Sequence, residues 1–352
     1  MAKATEFPRE EFAEGVRQFL EECSGGAAQG AWSQMAELGW LGLSIDEKYG
    51  GLGFGVNELA VLYTELGRCL FPGMPTATFL GAQALEFAHE YLRATLLPEV
   101  ASGAAKFAFI LPVKGFAPLT RQADGGWRGE FSLVPCDDDC THIFMPAIGA
   151  GEEPSIIVAP VSSCGLKTAM AVDESRVLKH VSISNFIPPP ENIIQPYQGG
   201  WRALADHACI AIAADSIGGA ARIFDITTEY LCVREQFGRP IGSFQSLKHR
   251  AANWKALLEA ASALTFEAAA STAIGNETAS LLAVSAKFYA ADAYAGIAGD
   301  AVQLHGGIGF TWEHACHRYL KRAKFNQAVY GAATELKDRA AEMFWLSTEE
   351  RS

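Results

Sequence analysis

Two long segments in the second half of the chain set the first constraint. "ALADHACIAIAADSIGGAARIFDITTEYLCV" runs from Ala203, and "ETASLLAVSAKFYAADAYAGIAGDAVQL" ends at Leu304. Each carries an alanine-rich face. Small side chains let helices approach closely, so the pattern predicts a bundle of long helices from about Trp201 onward. A second helical zone spans about Phe12 to Ala104, where Ala60, Tyr63, Leu66 and Leu70 recur at spacings of three and four. Turns interrupt it at "EKYGGLGFG" (47–55) and "LFPGMP" (70–75).

Between these zones, from about Lys106 to Gln195, the character changes. "KFAFILP" and "SIIVAPV" are short apolar runs closed by proline. "ADGGWRGEFSLVP" reads as a turn between strands, and "LKHVSISNFIPPPENII" alternates before breaking at three prolines. The expected fold is α+β and mostly α. It comprises an N-terminal helical domain (1–104), a middle β-barrel or sandwich (105–195) and a C-terminal four-helix bundle (196–352).

The formal net charge of −12 argues against nucleic acid as a partner, since that needs an extensive basic surface. No apolar run reaches the roughly 18 residues of a membrane helix. Eight cysteines lie scattered without framework spacing, and the start "MAKATEFPREEF" has no apolar core. A reduced, cytoplasmic chain is expected.

Against this acidic background, "REQFGRPIGSFQSLKHR" (234–250) gathers basic residues around Gly238, Pro240 and Gly242. A solvated basic connection between two helices would look like this. So would an anion site in which guanidinium groups meet a pyrophosphate. A second stretch, "QLHGGIGFTWE" (303–313), ends an alanine-rich helix with Gly306 and Gly307. Glycines here either cap the helix or let a ligand approach the backbone.

Together the two stretches are more specific than either alone. "REQFGRPIGSFQ" and "QLHGGIGF" closely resemble the C-terminal signatures of the acyl-CoA dehydrogenase family of flavoproteins. "MAELGWLGLSIDEKYGGLGFGVNELAVLYTELGRCL" (35–70) is similar to that family's first-domain pattern, and the three-zone order matches its architecture. The resemblance implies FAD as cofactor and an acyl-CoA thioester as substrate. An electron-transfer flavoprotein is a candidate acceptor. It also implies that these stretches hold the adenosine pyrophosphate of an FAD seated in the neighbouring subunit. The contributors carried over are Arg234, Gln236, Phe237, Gln245, Gln303, Gly306 and Gly307.

The departures from the family pattern are equally informative. The family's flavin loop carries a threonine-glutamate-proline segment, but here "FAFILPVKGFAPLT" (107–120) has only Pro112 to match it. The following strand carries a tryptophan in the family, whereas "CTHIFMPAIGAG" has none. The reaction removes an α-proton from the thioester as a hydride leaves the β-carbon, which needs a positioned carboxylate. The family's glutamate position falls on Tyr330 or Gly331 in "AVYGAATE", and an alternative position falls near Ala208 in "ADHACIAIA". Asp206 and Glu335 are the nearest carboxylates and are displaced from both; the catalytic residue stays unknown.

Other clusters are weaker. Cys136, Cys140 and His142 in "CDDDCTH" lack a second ligand pair for zinc, "HACHR" (314–318) reads as helix surface, and "GGLGFG" (50–55) reads as a turn because no strand precedes it. No metal site is expected. Three readings remain. The chain is a non-catalytic subunit completing the FAD site of a sister chain in a heterodimer or heterotetramer, a self-sufficient flavoenzyme with oxidase or monooxygenase chemistry, or a non-enzymatic scaffold. The intact half-site and the missing flavin loop and base favour the first.

Overall fold

A computed structural model describes residues 7–23, 30–113, 117–149, 154–196 and 199–349. Helices come first: α1 (Arg9–Cys23), α2 (Ala31–Glu37), α3 (Val56–Arg68), α4 (Pro75–Leu85) and α5 (Glu90–Ala101). The strands follow: β1 (Phe107–Phe109), β2 (Leu119–Arg121), β3 (Trp127–Pro135), β4 (His142–Ile148), β5 (Ser155–Pro160), β6 (Gly165–Ala169), β7 (Leu178–Phe186) and β8 (Ile193–Ile194). Long α6 (Gly200–Val233) leads into a minimal hairpin, β9 (Glu235–Gln236) and β10 (Arg239–Pro240). Then come α7 (Gln245–Ala273), α8 (Ala279–His305), α9 (Cys316–Ala328) and α10 (Ala333–Glu349). The order of helices, sheet and helices is the one the periodicity predicts, and the strands sit where the proline-closed and alternating runs lie.

The chain divides into two compact units. One takes residues up to 25, 56–71 and 209 onward; the other takes 26–55 and 72–208. In the second unit the strands form one mixed sheet in the order β6-β7-β3-β2-β4-β5-β8. β1 and β2 both pair in parallel with β4, at Phe107↔His142 and Leu119↔Ala147. β4 is buried from Ile143 to Ala147, as a central strand covered on both faces requires. Phe144 stacks on Phe109 at 5.7 Å and lies 4.9 Å from Phe107. A Cβ on Gly81 of α4 would strike the Phe107 ring, so this glycine seats α4 on β1.

In the first unit, α3 crosses α6 at a contact that tolerates no side chain. A Cβ on Gly67 would collide with the backbone of Asp215, and one on Gly218 with the backbone of Thr64. Beside this crossing lies a fully buried ionic network. Arg322 of α9 is wholly enclosed. It donates from Nη1 to Asp215 Oδ2 at 2.9 Å and from Nη2 to the Phe71 carbonyl at 2.9 Å. Asn326 Nδ2 donates to Asp215 Oδ1 at 2.7 Å and to Ser216 Oγ at 3.0 Å, and Ser216 passes its own proton to the Ile212 carbonyl at 2.7 Å. Tyr319 adds a bond to the Arg68 carbonyl at 2.8 Å. One turn pattern of α9 is thereby tied to α6 and to the end of α3.

A second buried cation sits on α8. Lys287 is 1% exposed and donates to the Gly331 carbonyl. Burial pushes its ammonium down to about 8 from the ordinary 10.5.

Two outcomes follow from these burials. Asp215→Ala strands the Arg322 charge and should cost about 3–5 kcal/mol, read as a lower urea midpoint. Asp215→Leu combined with Arg322→Met should cost less than the sum of the single changes. A loss within about 1 kcal/mol of wild type for Asp215→Ala would contradict the burial argument. For Lys287, the folded value lies below the unfolded one. Between pH 8 and 10.5 the unfolded chain therefore binds more protons, and this group makes stability rise with pH. Lys287→Met should flatten that rise in thermal unfolding across the window; an unchanged slope would refute it.

Candidate functional site

The basic stretch connects two helices, as expected, and does so through a hairpin. α6 continues until the Arg234 amide donates to the Tyr230 carbonyl at 2.9 Å. The chain then reverses through β9 and β10, with Gln236 opposite Arg239. The two turn residues, Phe237 and Gly238, have φ of 56° and 73°. Both positive values fit a type I′ hairpin, which favours the right-handed strand twist and normally takes asparagine and glycine. A phenylalanine held there is strained, and it is 91% exposed. Strain carried by an outward aromatic ring points to a role outside the chain's own core.

The charged groups around the turn are held differently. Arg239 lies 4.1 Å above the Phe244 ring, and Phe237 meets the same ring edge-on at 6.1 Å. Arg250 reaches Asp300 at 3.7 Å. The Arg234 side chain is exposed, and its guanidinium has no partner among the described residues. Gln236 gives one N–H to the Glu235 carbonyl at 2.8 Å, and Gln245 stands exposed on the first turn of α7.

The second motif closes α8. Gly306 follows His305 as the C-cap, at φ 63° and ψ −142°, a backbone conformation open essentially to glycine alone. Gln303, Gly306 and Gly307 are exposed, and a Cβ on either glycine would meet nothing within 4 Å. The openness leaves the backbone approachable. The two motifs are joined by a ring stack: Tyr230, one turn before Arg234, lies parallel to His305 at 4.3 Å. The seven residues named from sequence thus stand at the surface, on segments linked through Tyr230 and His305. A free guanidinium, primary amides, an outward aromatic ring and bare glycine backbone suit a pyrophosphate with an attached ring system. The donor set fits the adenosine pyrophosphate end of FAD.

The position of the catalytic base is occupied otherwise. Tyr330 (φ 55°) and Gly331 (φ 108°) turn the chain between α9 and α10, and the Gly331 carbonyl receives the Lys287 ammonium. Glu335 lies on the first turn of α10. Ala208 is wholly buried, and Asp206 is 4% exposed on the same helix. Beside it, His207 Nδ1 shares a hydrogen bond with Gln83 Oε1 at 2.7 Å, and burial pushes the ring down to about 4, so it stays neutral. No carboxylate occupies either position at which the family pattern places its base.

The flavin loop is partly visible, since residues 114–116 lie outside the described residues. Pro112 and Pro118 join Pro146, Ile148, Pro154 and Trp201 around a cavity of about 300 Å³. Its lining is apolar, and the Trp201 indole N–H is directed at the Pro154 carbonyl, 3.4 Å away. Among the described residues of that lining, the Trp201 indole N–H is the one side-chain donor.

The "CDDDC" segment is a turn whose acids are matched by lysines, Asp139 to Lys106 at 2.8 Å and Asp138 to Lys179 at 2.8 Å. The stretch "HACHR", expected to be helix surface, must be corrected. Cys316 is fully buried at the start of α9, with its sulfur 3.3 Å from His305 Nδ1. Burial pushes its thiol up to about 12. The turn returns α9 onto the end of α8, which periodicity alone does not reveal.

Similarity to known proteins agrees with this geometry. Residues 200–342 match the model of the acyl-CoA dehydrogenase C-terminal domain, and residues 1–104 match that of the N-terminal domain. The chain is 31% identical over 318 residues to acyl-CoA dehydrogenase IpdE2 of Mycolicibacterium smegmatis, covering 89% of this chain and 88% of that protein. Among solved structures it is similar to the Tcur3481-Tcur3483 steroid ACAD G363A variant, with TM-score 0.86 and 25% identity over 97% of this chain and 98% of that one. The ChsE4-ChsE5 complex from Mycobacterium tuberculosis has the same fold, with TM-score 0.87 and 22% identity over 96% of each chain. FAD is the cofactor of the family to which these matches point. The protein described here belongs to the acyl-CoA dehydrogenase family.

Proposed function

We propose that this chain is the non-catalytic subunit of a heteromeric acyl-CoA dehydrogenase. It lends Arg234, Gln236, Phe237, Gln245, Gln303, Gly306 and Gly307 to the adenosine pyrophosphate of an FAD seated in a sister chain. The sister chain supplies the flavin pocket and the carboxylate that takes the α-proton. FAD, when bound, supplies the hydride acceptor. The observation that carries this reading is the contrast within one chain: an exposed half-site with an unpartnered Arg234 guanidinium, beside a turn where a lysine-bound backbone carbonyl stands in place of a base. The similar Tcur3481-Tcur3483 structure, which pairs two named chains and is called a steroid ACAD, supports both a heteromer and a steroid-type acyl-CoA substrate. Reduced flavin would pass its electrons to an electron-transfer flavoprotein.

The physical role of Arg234 is to neutralise phosphate charge where the interface excludes water. A planar fork does this with two directed bonds, which an ammonium cannot reproduce. Phe237 pays its backbone strain for an outward face that a ring system or partner surface can cover.

Titration of FAD against the co-purified complex tests both residues. Arg234→Ala should cost about 2–5 kcal/mol of flavin binding, a loss of roughly thirtyfold or more. Arg234→Lys should recover only part of it. Phe237→Asn relieves the turn, so it should leave the melting temperature of the chain undiminished while weakening flavin retention. Normal flavin affinity in Arg234→Ala would remove the cofactor role. Glu335→Gln and Asp206→Asn should leave thioester oxidation by the complex nearly unchanged, and a collapse of turnover with flavin still bound would show that this chain carries its own base.

A further inference from the structure

The turn from α8 to α9 brings together three metal-ligating side chains whose ligand atoms neither the half-site nor the missing base uses. α8 ends at His305, and eleven residues later Cys316 begins α9 beside it. His314 follows the same return, its ring 4.3 Å from that of His305. A nitrogen of each histidine and the Cys316 sulfur all lie within 4.8 Å of one another. They are the one such group of histidine, cysteine and carboxylate ligands found among the described residues.

The hydrogen bonding leaves this cluster incomplete. His305 is 3% exposed, and its Nδ1 lies 2.9 Å from the Ala301 carbonyl. That carbonyl can only accept, so Nδ1 carries the proton and Nε2 holds a free lone pair. Nε2 is buried and has no hydrogen-bond partner among the described residues. A buried imidazole nitrogen without a partner is costly and calls for an explanation. One ring nitrogen bound to a backbone carbonyl with the other left as a lone pair is the arrangement that orients a metal-binding histidine. His314 holds its Nδ1 lone pair toward the Cys316 amide at 3.2 Å, a long contact that a stronger acceptor for that lone pair could replace. Nearby His317 has both ring nitrogens buried and without a hydrogen-bond partner among the described residues. Each neutral imidazole of this turn carries one N–H and one lone pair, so the turn holds lone pairs that no donor among the described residues satisfies.

We propose that His305, His314 and Cys316 form a binding site for a d¹⁰ cation of the zinc class. Two imidazoles and a thiolate suit a borderline-soft ion, and three protein ligands leave a fourth position open. A tetrahedral ion with bonds of about 2.0–2.3 Å needs ligand atoms closer than 4.8 Å, so the loop 306–315 closes slightly on binding. The thiol proton is released to solvent as the sulfur–metal bond forms, and no electron is transferred. His314 is only partly buried and gives the ion its entry route. Cys316 and His305, buried beneath it, hold the floor of the site. This inference stands on the cluster alone and does not depend on the subunit role proposed above.

The test uses the full chain, purified with any sister chain, stripped by a chelator and kept under a thiol-free reductant. Zn²⁺ is titrated against a competing chromophoric chelator, and Co²⁺ is added separately as a spectroscopic probe. Wild type should bind Zn²⁺ stoichiometrically, melt at a higher temperature with it, and show a thiolate-to-cobalt charge-transfer band. Cys316→Ser should abolish the band, and both Cys316→Ser and His314→Gln should lower Zn²⁺ affinity at least about tenfold. His314→Gln, at a partly exposed position, decides the matter if Cys316→Ser does not fold. Absence of the cobalt band in wild type, or wild-type Zn²⁺ affinity in a folded variant, would overturn the proposal; the latter would assign any binding to other cysteines, such as exposed Cys232.

Discussion

The buried pair between Arg322 and Asp215 organises the helical unit. A charge this deep contributes little net stability, because desolvation offsets most of the Coulomb attraction. Its consequence is geometric. Asp215 has both oxygens engaged, Arg322 also binds the Phe71 carbonyl, and Asn326 fills the remaining contacts. Any slip of α9 along α6 would leave a buried charge without a partner. The glycine-to-backbone crossing of α3 and α6 then has one register in which the ions meet. Because α9 is pinned, its first residue, Cys316, is fixed beside His305 at the end of α8.

A fixed scaffold explains how a half-site can be exposed and still be specific. The side chains of Arg234, Gln245 and Gln303 have no partner among the described residues, yet their backbones are tied to long helices. The Tyr230–His305 stack transmits that order between the two motifs. Strain at Phe237 and an uncompensated guanidinium at Arg234 are small costs when the unit beneath them is rigid. Where a catalytic member of the family needs a carboxylate on the turn after α9, this chain has a turn tethered by Lys287.

Much of this was readable from residues alone, and what was not has physical reasons. β1 and β5 announce themselves as apolar runs closed by proline, and β7 as an alternation that breaks at three prolines. β6 does not, because only Leu166 packs against the core while Gly165, Lys167 and Thr168 are exposed, too little for an apolar pattern. Two-residue strands such as β9 and β10 are too short for any period, so the stretch was legible only as a connection between two helices. The seven half-site residues were legible only as a resemblance, since an exposed arginine or glutamine has no local signature. Arg322 and Lys287 look like surface residues on any helical pattern, and their burial depends on partners over forty residues away, Asp215 and Gly331. Cys316 failed for the same reason. Its neighbour His305 is adjacent only once α9 folds back.

The subunit account rests on one property, that this chain holds FAD only with a partner. The direct measurement is bound flavin per polypeptide, by absorbance after denaturation, for the chain expressed alone and with a sister acyl-CoA dehydrogenase that retains the flavin loop and the glutamate. The account predicts a colourless chain alone and a yellow complex with flavin stoichiometric to the pair of unlike subunits. Full flavin occupancy in the chain purified alone would contradict it.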